Sequence, residues 1–174
     1  MKFELLQAET VYTGRAFAVR CDHLRTPDGR TVKYDIIEHT GSIILVPVND
    51  QGQIYFVRQY RHAAQLDLLE LPAGTLEPGE APIAGAAREI REEIGLEATN
   101  LLEIGTFYLA PGYSTERMHV FLATGLRHNP LEADADEFLS VEALPITEAL
   151  RQAENGEMQD AKSLAALLLA KRYL

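Results

Sequence analysis

Short apolar runs separated by turn residues fill the first half of the chain, a pattern typical of β-strands. The run at residues 42–48 is almost continuously apolar, which predicts a strand buried on both faces. A Pro-Asp-Gly turn near residue 28 joins two runs and predicts a hairpin. The strands predicted in this way cover residues 16–24, 32–38, 42–48, 54–60, 67–71, 101–109 and 118–123.

Three segments have helical rather than strand periodicity. The first begins near Pro82, where a proline is tolerated in the first helical turn, and ends at Gly95. The second covers residues 146–154. The third is capped by Asp160 and runs toward Tyr173, with an apolar stripe of Leu164, Leu167 and Leu168. Helices mixed with a majority of strands predict an α/β or α+β class, with helices covering a mixed sheet.

Composition narrows the class of protein. The length of 174 residues fits one domain, residues 1–174, and the net charge of −10 disfavours nucleic acid as a partner. Cys21 is the only cysteine, so no intrachain disulfide can form. The longest apolar run, residues 164–170, is far short of the roughly 20 residues that a membrane span needs. The N-terminus does not resemble a signal peptide, and we expect a cytoplasmic protein without a membrane partner.

The helix near residue 82 carries a cluster of carboxylates. At about 100° per residue, one face is predicted to be apolar, with Ile83, Ala87, Ile90 and Ile94. Three carboxylates are predicted on the opposite side: Glu89, Glu92 and Glu93. Their mutual repulsion weakens an isolated helix, whereas oxygen ligands in a cluster suit a hard cation such as Mg²⁺. A solvated acidic face is the alternative on the helix alone.

The surrounding residues favour the cation. Residues 74–96 read GTLEPGEAPIAGAAREIREEIGL and resemble the Nudix box, G-x5-E-x7-R-E-U-x-E-E-x-G-U, where U is apolar. Every specified position is filled, by Gly74, Glu80, Arg88, Glu89, Ile90, Glu92, Glu93, Gly95 and Leu96. The resemblance implies the Nudix fold: a mixed β-sheet sandwiched between α-helices, with an N-terminal antiparallel strand segment.

The resemblance also implies roles for individual residues. The metal ligands would be Glu89 and Glu93, with the carbonyl of Ala73 as a further ligand and Glu92 as a ligand or base beside them. Glu80 and Arg88 would brace the loop against the helix. The cofactor expected is Mg²⁺, with Mn²⁺ or another divalent cation as the alternative, and it would neutralise a diphosphate and polarise a water.

Segments outside the box are similar to the ADP-ribose pyrophosphatase branch of the family. They are VRQYR at residues 57–61, LELPAG at 69–74, APGYSTE at 110–116, and GE at 156–157 followed by DAKSL at 160–164. The expected substrate-binding residues are Arg58 and Arg61, as donors to phosphate oxygens, Gly112 in a tight turn, and Glu116 as an acceptor from sugar hydroxyls. Surface roles for these residues are the alternative.

The resemblance implies a general base from an acidic loop at residues 132–137, where Glu137 is the candidate for the base or an extra metal ligand and a solvated surface loop is the alternative. Members of the branch often carry alternating glutamates at this point, but this chain has Ala135 there. The departure leaves Glu92 open as the alternative base.

The function predicted is Mg²⁺-dependent hydrolysis of ADP-ribose to AMP and ribose 5-phosphate. One alternative is a broader nucleoside diphosphate sugar hydrolase, for instance on GDP-mannose. Another is a non-catalytic ligand-sensing Nudix domain, which is disfavoured because such domains usually carry a damaged box. The resemblance also implies a homodimer in which residues 1–40 contribute N-terminal strands, and Phe17 or Arg20 would reach the partner's site.

Overall fold

The computed structural model describes residues 2–132 and 138–174. The chain divides into two compact units: one contains the residues up to Gly41 together with Phe107–Met118, and the other contains Ser42–Thr106 and His119–Leu174. Among the described residues, no helix is long and apolar enough to cross a membrane.

The first unit is built on a three-stranded antiparallel sheet. The strands are β1 (Glu4–Thr13), β2 (Ala18–Arg25) and β3 (Thr31–Glu38), in the order β1-β2-β3. Strands β2 and β3 pair antiparallel with Arg25 opposite Thr31, which confirms the predicted hairpin. Every residue of β1 is exposed, so backbone hydrogen bonds rather than burial attach this strand to its neighbour.

The second unit contains the strands around which the core forms. They are β4 (Ser42–Pro47), β5 (Gln53–Arg61), β6 (Leu66–Glu70), β7 (Ala73–Thr75), β8 (Leu96–Tyr108), β9 (Arg117–His128) and β10 (Leu139–Pro145). The end of β8 and the start of β9 belong to the first unit. One sheet has the order β7-β4-β9-β8 and another the order β10-β5-β6. All of β4 is buried, as its continuous apolar run predicted.

Three helices pack on these sheets. They are α1 (Pro82–Glu93), α2 (Ile146–Glu154) and α3 (Ala161–Ala170). Helix α1 contacts β4 and β7, α3 contacts β4, and α2 contacts β10 and β5. The predicted class of strands covered by helices is therefore confirmed.

The predicted apolar stripe of α3 is wrong in one position. Leu167 is buried, but Leu168 is 73% exposed. The buried face consists instead of Ser163, Ala166, Leu167 and Ala170. Three of these four side chains are small, and a stripe predicted from leucines alone misses them.

Candidate active site

Helix α1 presents its carboxylates to the sheet rather than to solvent. Glu89 is 7% exposed and Glu93 is 5% exposed, beside the fully buried Ala86 and Ile90. The predicted apolar face is therefore wrong for Ile83, which is 55% exposed, and for Ala87, which is also exposed. Periodicity shows which residues share a side of a helix, but the neighbours of the helix decide which side is buried.

Strand β7 explains why the buried side contains carboxylates. The backbone N–H of Ala73 donates to Glu93 Oε2 at 2.9 Å. A Cβ atom at Gly74 would lie 2.0 Å from the carboxyl carbon of Glu89, so a larger residue there would require this carboxylate or the strand to shift. The loop before the helix and the helix itself are thus fitted to each other through Glu89 and Glu93.

Arg88 connects the remaining carboxylates of the helix. Its Nη1 donates to Glu89 Oε1 at 2.7 Å and to Glu92 Oε2 at 2.8 Å. Its Nε and Nη2 donate to the two carboxylate oxygens of Glu80 at 3.1 and 3.0 Å, and Nη2 also donates to the carbonyl of Thr75 at 3.2 Å. The hydrogen bonds with Glu80 raise the pKa of Arg88 and lower the pKa of Glu80. Arg88 therefore links the loop to the helix, which is the bracing arrangement expected of Glu80 and Arg88.

Arg61 lies at the end of β5 and is held by a buried carboxylate. Its Nε and Nη2 donate to the two oxygens of Glu70, both at 2.7 Å, and Glu70 is 1% exposed. The pKa of Arg61 is raised, first by the hydrogen bonds to Glu70 and further by attraction to Glu70 and Glu93. Arg61 therefore lies within the electrostatic reach of a carboxylate of α1.

Arg58 has a different environment. Its Nε and Nη2 donate to Glu142 on the neighbouring strand β10 at 2.6 and 3.3 Å, and its side chain is 42% exposed. This cross-strand ion pair occupies one edge of the guanidinium. The predicted substrate contact of Arg58 stays a prediction.

Gly112 and Glu116 belong to the first unit, in the loop after β8. The carbonyl of Tyr113 in this loop accepts from the N–H of Ile37 at 2.7 Å, and the N–H of Thr115 donates to the carbonyl of Ile37 at 3.0 Å. The space around a Cβ at Gly112 is open for at least 4 Å. The loop is thus anchored to the end of β3, and its predicted contact with substrate stays a prediction.

A family model described as the NUDIX domain matches residues 38–167, which contain the whole carboxylate helix and the strand before it. The chain belongs to the Nudix family. The ADP-ribose pyrophosphatase of Mycobacterium tuberculosis is 40% identical over 95% of this chain and 82% of that protein. The ADP-ribose pyrophosphatase of Bacillus subtilis is 36% identical over 91% of this chain and 87% of that protein.

Structural similarity agrees with the sequence matches. The crystal structure of an ADP compounds hydrolase has a TM-score of 0.89 and 27% identity, covering 100% of this chain and 95% of that chain. Relatives named GDP-mannose pyrophosphatase are less similar, for example that of Citrobacter koseri, at 31% identity over 76% of this chain and 78% of that protein. The prediction of a Nudix pyrophosphohydrolase is confirmed by these matches.

Hydrolases of the Nudix family generally use divalent cations, and the donor chemistry of α1 fits one. The cluster around Arg88 combines one guanidinium with the carboxylates of Glu80, Glu89 and Glu92. Oxygen donors with this excess of negative charge suit a hard cation. Within the described residues, no group of three or more acidic, histidine or cysteine side chains is arranged to hold a metal ion, and Arg88 bonds Glu89 and Glu92. The site of this Nudix protein therefore has the ligand types for a cation but pairs them with Arg88.

Two outcomes concern residues that sequence alone did not settle. Glu137, the candidate base, lies in residues 133–137, outside the described part of the chain. Glu70 and Lys162 lie in the segments LELPAG and DAKSL, and the sequence predicted no site role for either residue. The available signal was a glutamate inside the apolar run at residues 68–71, because a carboxylate in a buried strand needs a charged partner.

Proposed function

We propose that this Nudix protein hydrolyses the diphosphate linkage of ADP-ribose to AMP and ribose 5-phosphate in the presence of Mg²⁺. The observation that carries the proposal is the pairing of a complete box, whose Glu89 and Glu93 are buried against β7, with Arg61 nearby. The similarity to ADP-ribose pyrophosphatases over more than nine-tenths of the chain supports ADP-ribose as the substrate.

The residues that would hold Mg²⁺ are Glu89, Glu93 and the carbonyl of Ala73, with Glu92 as a further ligand. Mn²⁺ is the alternative cation. When bound, the cation would neutralise charge on the diphosphate and polarise a water for attack on phosphorus. The N–H of Ala73 keeps the Glu93 carboxylate in place, and Arg88 orients Glu89 and Glu92.

Arg61 would bind the diphosphate and orient it. A guanidinium fixed on one edge by a carboxylate loses little further freedom when its other edge binds a phosphate oxygen. Arg58 would make a second phosphate contact by exchanging Glu142 for substrate. Gly112 and Glu116 would contact the sugar, since the loop that carries them is fixed to β3 and has open space at Gly112.

Two residues are proposed for the general base. Glu137 is the first candidate, and Glu92, which accepts a hydrogen bond from Arg88, is the second. The replacements Glu137→Gln and Glu92→Gln distinguish them, because loss of the base removes the acidic limb of the dependence of kcat on pH, where protonation of the base lowers the rate. If a variant keeps this limb, the residue replaced in it is not the base.

The decisive experiment compares substrates and cation. We expect turnover of ADP-ribose with Mg²⁺ to exceed turnover of GDP-mannose, and excess EDTA to abolish both activities until Mg²⁺ is restored. Faster turnover of GDP-mannose would favour the alternative function, a broader nucleoside diphosphate sugar hydrolase. Binding of ADP-ribose without any hydrolysis would favour a ligand-sensing domain, and activity in excess EDTA would contradict the metal assignment.

We propose that the protein is a homodimer whose interface is formed by the first unit. Large apolar side chains stand exposed on β1, among them Leu5, Val11 and Tyr12, each 56% exposed. Exposed apolar side chains in this number mark a surface that another molecule covers, and a second copy of the chain is the partner proposed. Sedimentation should give a dimer for the wild type and a monomer for Val11→Glu. A wild type that sediments as a monomer excludes the dimer.

A cytoplasmic location is proposed because Cys21 is the single cysteine, so the fold requires no oxidising compartment. Cell fractionation tests this location directly.

A further inference from the structure

Glu70 is the centre of an ion-pair network that the reaction itself does not explain. Its carboxylate is 1% exposed at the end of β6 and accepts from Arg61 through both oxygens. Lys162 Nζ donates to Oε2 of the same carboxylate. Burial alone would raise the pKa of Glu70, but the hydrogen bonds from Arg61 and the charge of Lys162 outweigh burial and lower it. Glu70 is therefore a charged group shared by two cations.

Lys162 is itself fixed in place by helix α3. Its Nζ lies 3.0 Å from Asp160 Oδ1, and its side chain is 14% exposed. Asp160 caps the helix by accepting from the N–H of Ser163 at 3.0 Å. With Nζ directed at Glu70 and Asp160, Lys162 is placed to act through those carboxylates rather than to bind a ligand directly.

Arg61 retains one free edge in this arrangement. Nε and Nη2 are occupied by Glu70, whereas Nη1 has no hydrogen-bond partner within residues 2–132 and 138–174. The side chain is 41% exposed, and attraction to Glu93 contributes to the raised pKa of Arg61. The arginine for which a phosphate contact is proposed therefore keeps one uncommitted nitrogen on a partly exposed side chain.

The second cation changes what Arg61 can offer. A carboxylate in contact with a single guanidinium offsets most of the positive charge of that guanidinium. When Lys162 shares the same carboxylate, less of the Arg61 charge is cancelled and more is left to attract a phosphate. The shared carboxylate also fixes the plane of the guanidinium, which matters because phosphate binding by arginine is directional.

We propose that Lys162, acting through Glu70, is a positioning residue that directs Arg61 at the substrate diphosphate. This inference rests on the proposed function, because it assigns Arg61 to the phosphates of the substrate. It gives the first turn of α3 a part in substrate binding although Lys162 does not touch substrate.

The test uses Lys162→Met, which keeps most of the aliphatic stem and removes the charge. We expect the KM for ADP-ribose to rise on the order of ten-fold, with kcat changed much less, because a contact to bound phosphate is weakened. The matched control is Lys171→Met near the end of the same helix, where the lysine pairs with the exposed Glu154. The control should leave both constants unchanged. A fall in kcat at constant KM, or an equal effect of the control, would overturn the proposal.

A double-mutant cycle separates positioning from a structural role. In the Arg61→Ala background, Lys162→Met should cause no further rise in KM, since the group it positions is gone. Equal losses in both backgrounds would mean that Lys162 acts on the fold alone and would overturn the proposal. If Lys162→Met does not fold, Glu70→Gln replaces it in the same cycle, with the same two outcomes.

A binding measurement keeps the two proposals distinguishable. Calorimetry with an α,β-methylene analogue of ADP-ribose gives the affinity of each variant without turnover. If the double-mutant cycle for analogue affinity is non-additive as predicted, but the wild type does not hydrolyse ADP-ribose, the proposed function is rejected and the positioning role is kept. If the wild type hydrolyses ADP-ribose, but the two substitutions have additive effects on analogue affinity, the positioning role is rejected and the proposed function is kept.

Discussion

The substitution Gly74→Ala tests whether the loop and the carboxylate helix are fitted to each other. An added Cβ would lie 2.0 Å from both the carboxyl carbon and Oε1 of Glu89. Ordinary contact between carbon atoms needs about 3.5–4.0 Å, so the carboxylate or the loop must move by about 1.5 Å or more. Glu89 cannot simply turn outward, because it is 7% exposed and Arg88 Nη1 holds it at 2.7 Å.

The expected effect is large on rate and moderate on stability. A misplacement of about 1 Å in a catalytic arrangement can cost about 100-fold in rate, so kcat/KM should fall by about that factor or more. Overpacking of this kind lowers the free energy of unfolding by about 1–3 kcal/mol. The assay is steady-state turnover of ADP-ribose at saturating Mg²⁺, with the melting temperature of each variant measured in parallel.

The control is Gly79→Ala in the loop between β7 and α1. Gly79 has a φ of +81°, but nothing lies within 4 Å of its added Cβ. Alanine there costs roughly 1–2 kcal/mol in backbone strain without touching Glu89, and kcat/KM should be nearly unchanged. Wild-type turnover by Gly74→Ala would refute the steric reasoning, and so would a loss of turnover by Gly79→Ala of the same size.

Three further outcomes are expected. Glu93→Gln should lower kcat by orders of magnitude, because the amide is not an anionic ligand, but the melting temperature should stay close to wild type, because the amide still accepts from the N–H of Ala73. The control is Glu154→Gln on the surface. Near-normal turnover by Glu93→Gln would show that Glu93 is not a metal ligand. Arg88 lowers the pKa of Glu80 from its ordinary value of 4.5. The ion pair therefore contributes fully to the free energy of unfolding above about pH 4.5, and this contribution is lost as the pH falls through the lower pKa of the folded state. The melting temperature of Glu80→Gln should therefore fall less steeply than that of the wild type over that acid range, and parallel curves would contradict this account. Titration of Mg²⁺ into the chelated protein should raise its melting temperature as the cation binds the folded state, and no rise would argue against a cation site.

The sequence was most informative where local chemistry dictates local structure. Proline at the start and glycine after the end predicted α1, which runs from Pro82 to Glu93 with Gly95 at a φ of +70°. The buried strand β4 followed from its continuous apolar residues. The box predicted that carboxylates and an arginine would meet at the loop, and Arg88 does bond Glu80 across it.

Prediction was weakest where burial on one face is absent or depends on distant neighbours. Strand β10 was not predicted, because it lies at the edge of its sheet with no face fully buried. The buried side of α1 was assigned correctly for Ile90 and Ile94 but wrongly for Ile83, since only the packing of Gly74 against Glu89 shows that a carboxylate faces inward. The network of Glu70 and Lys162 joins residues 92 positions apart, which no local pattern reveals.

The hydrogen bond between Leu71 and Ser163 affects the order in which parts of the protein can fold during synthesis. The N–H of Leu71, two residues before Ala73, donates to Ser163 Oγ at 2.7 Å across a separation of 92 residues. During synthesis the strand that leads into the box emerges long before its partner in the last helix. The loop beside the carboxylates can therefore form this bond only after Ser163 has left the ribosome, so in a nascent chain the proposed cation site would be completed after α3 has been synthesised.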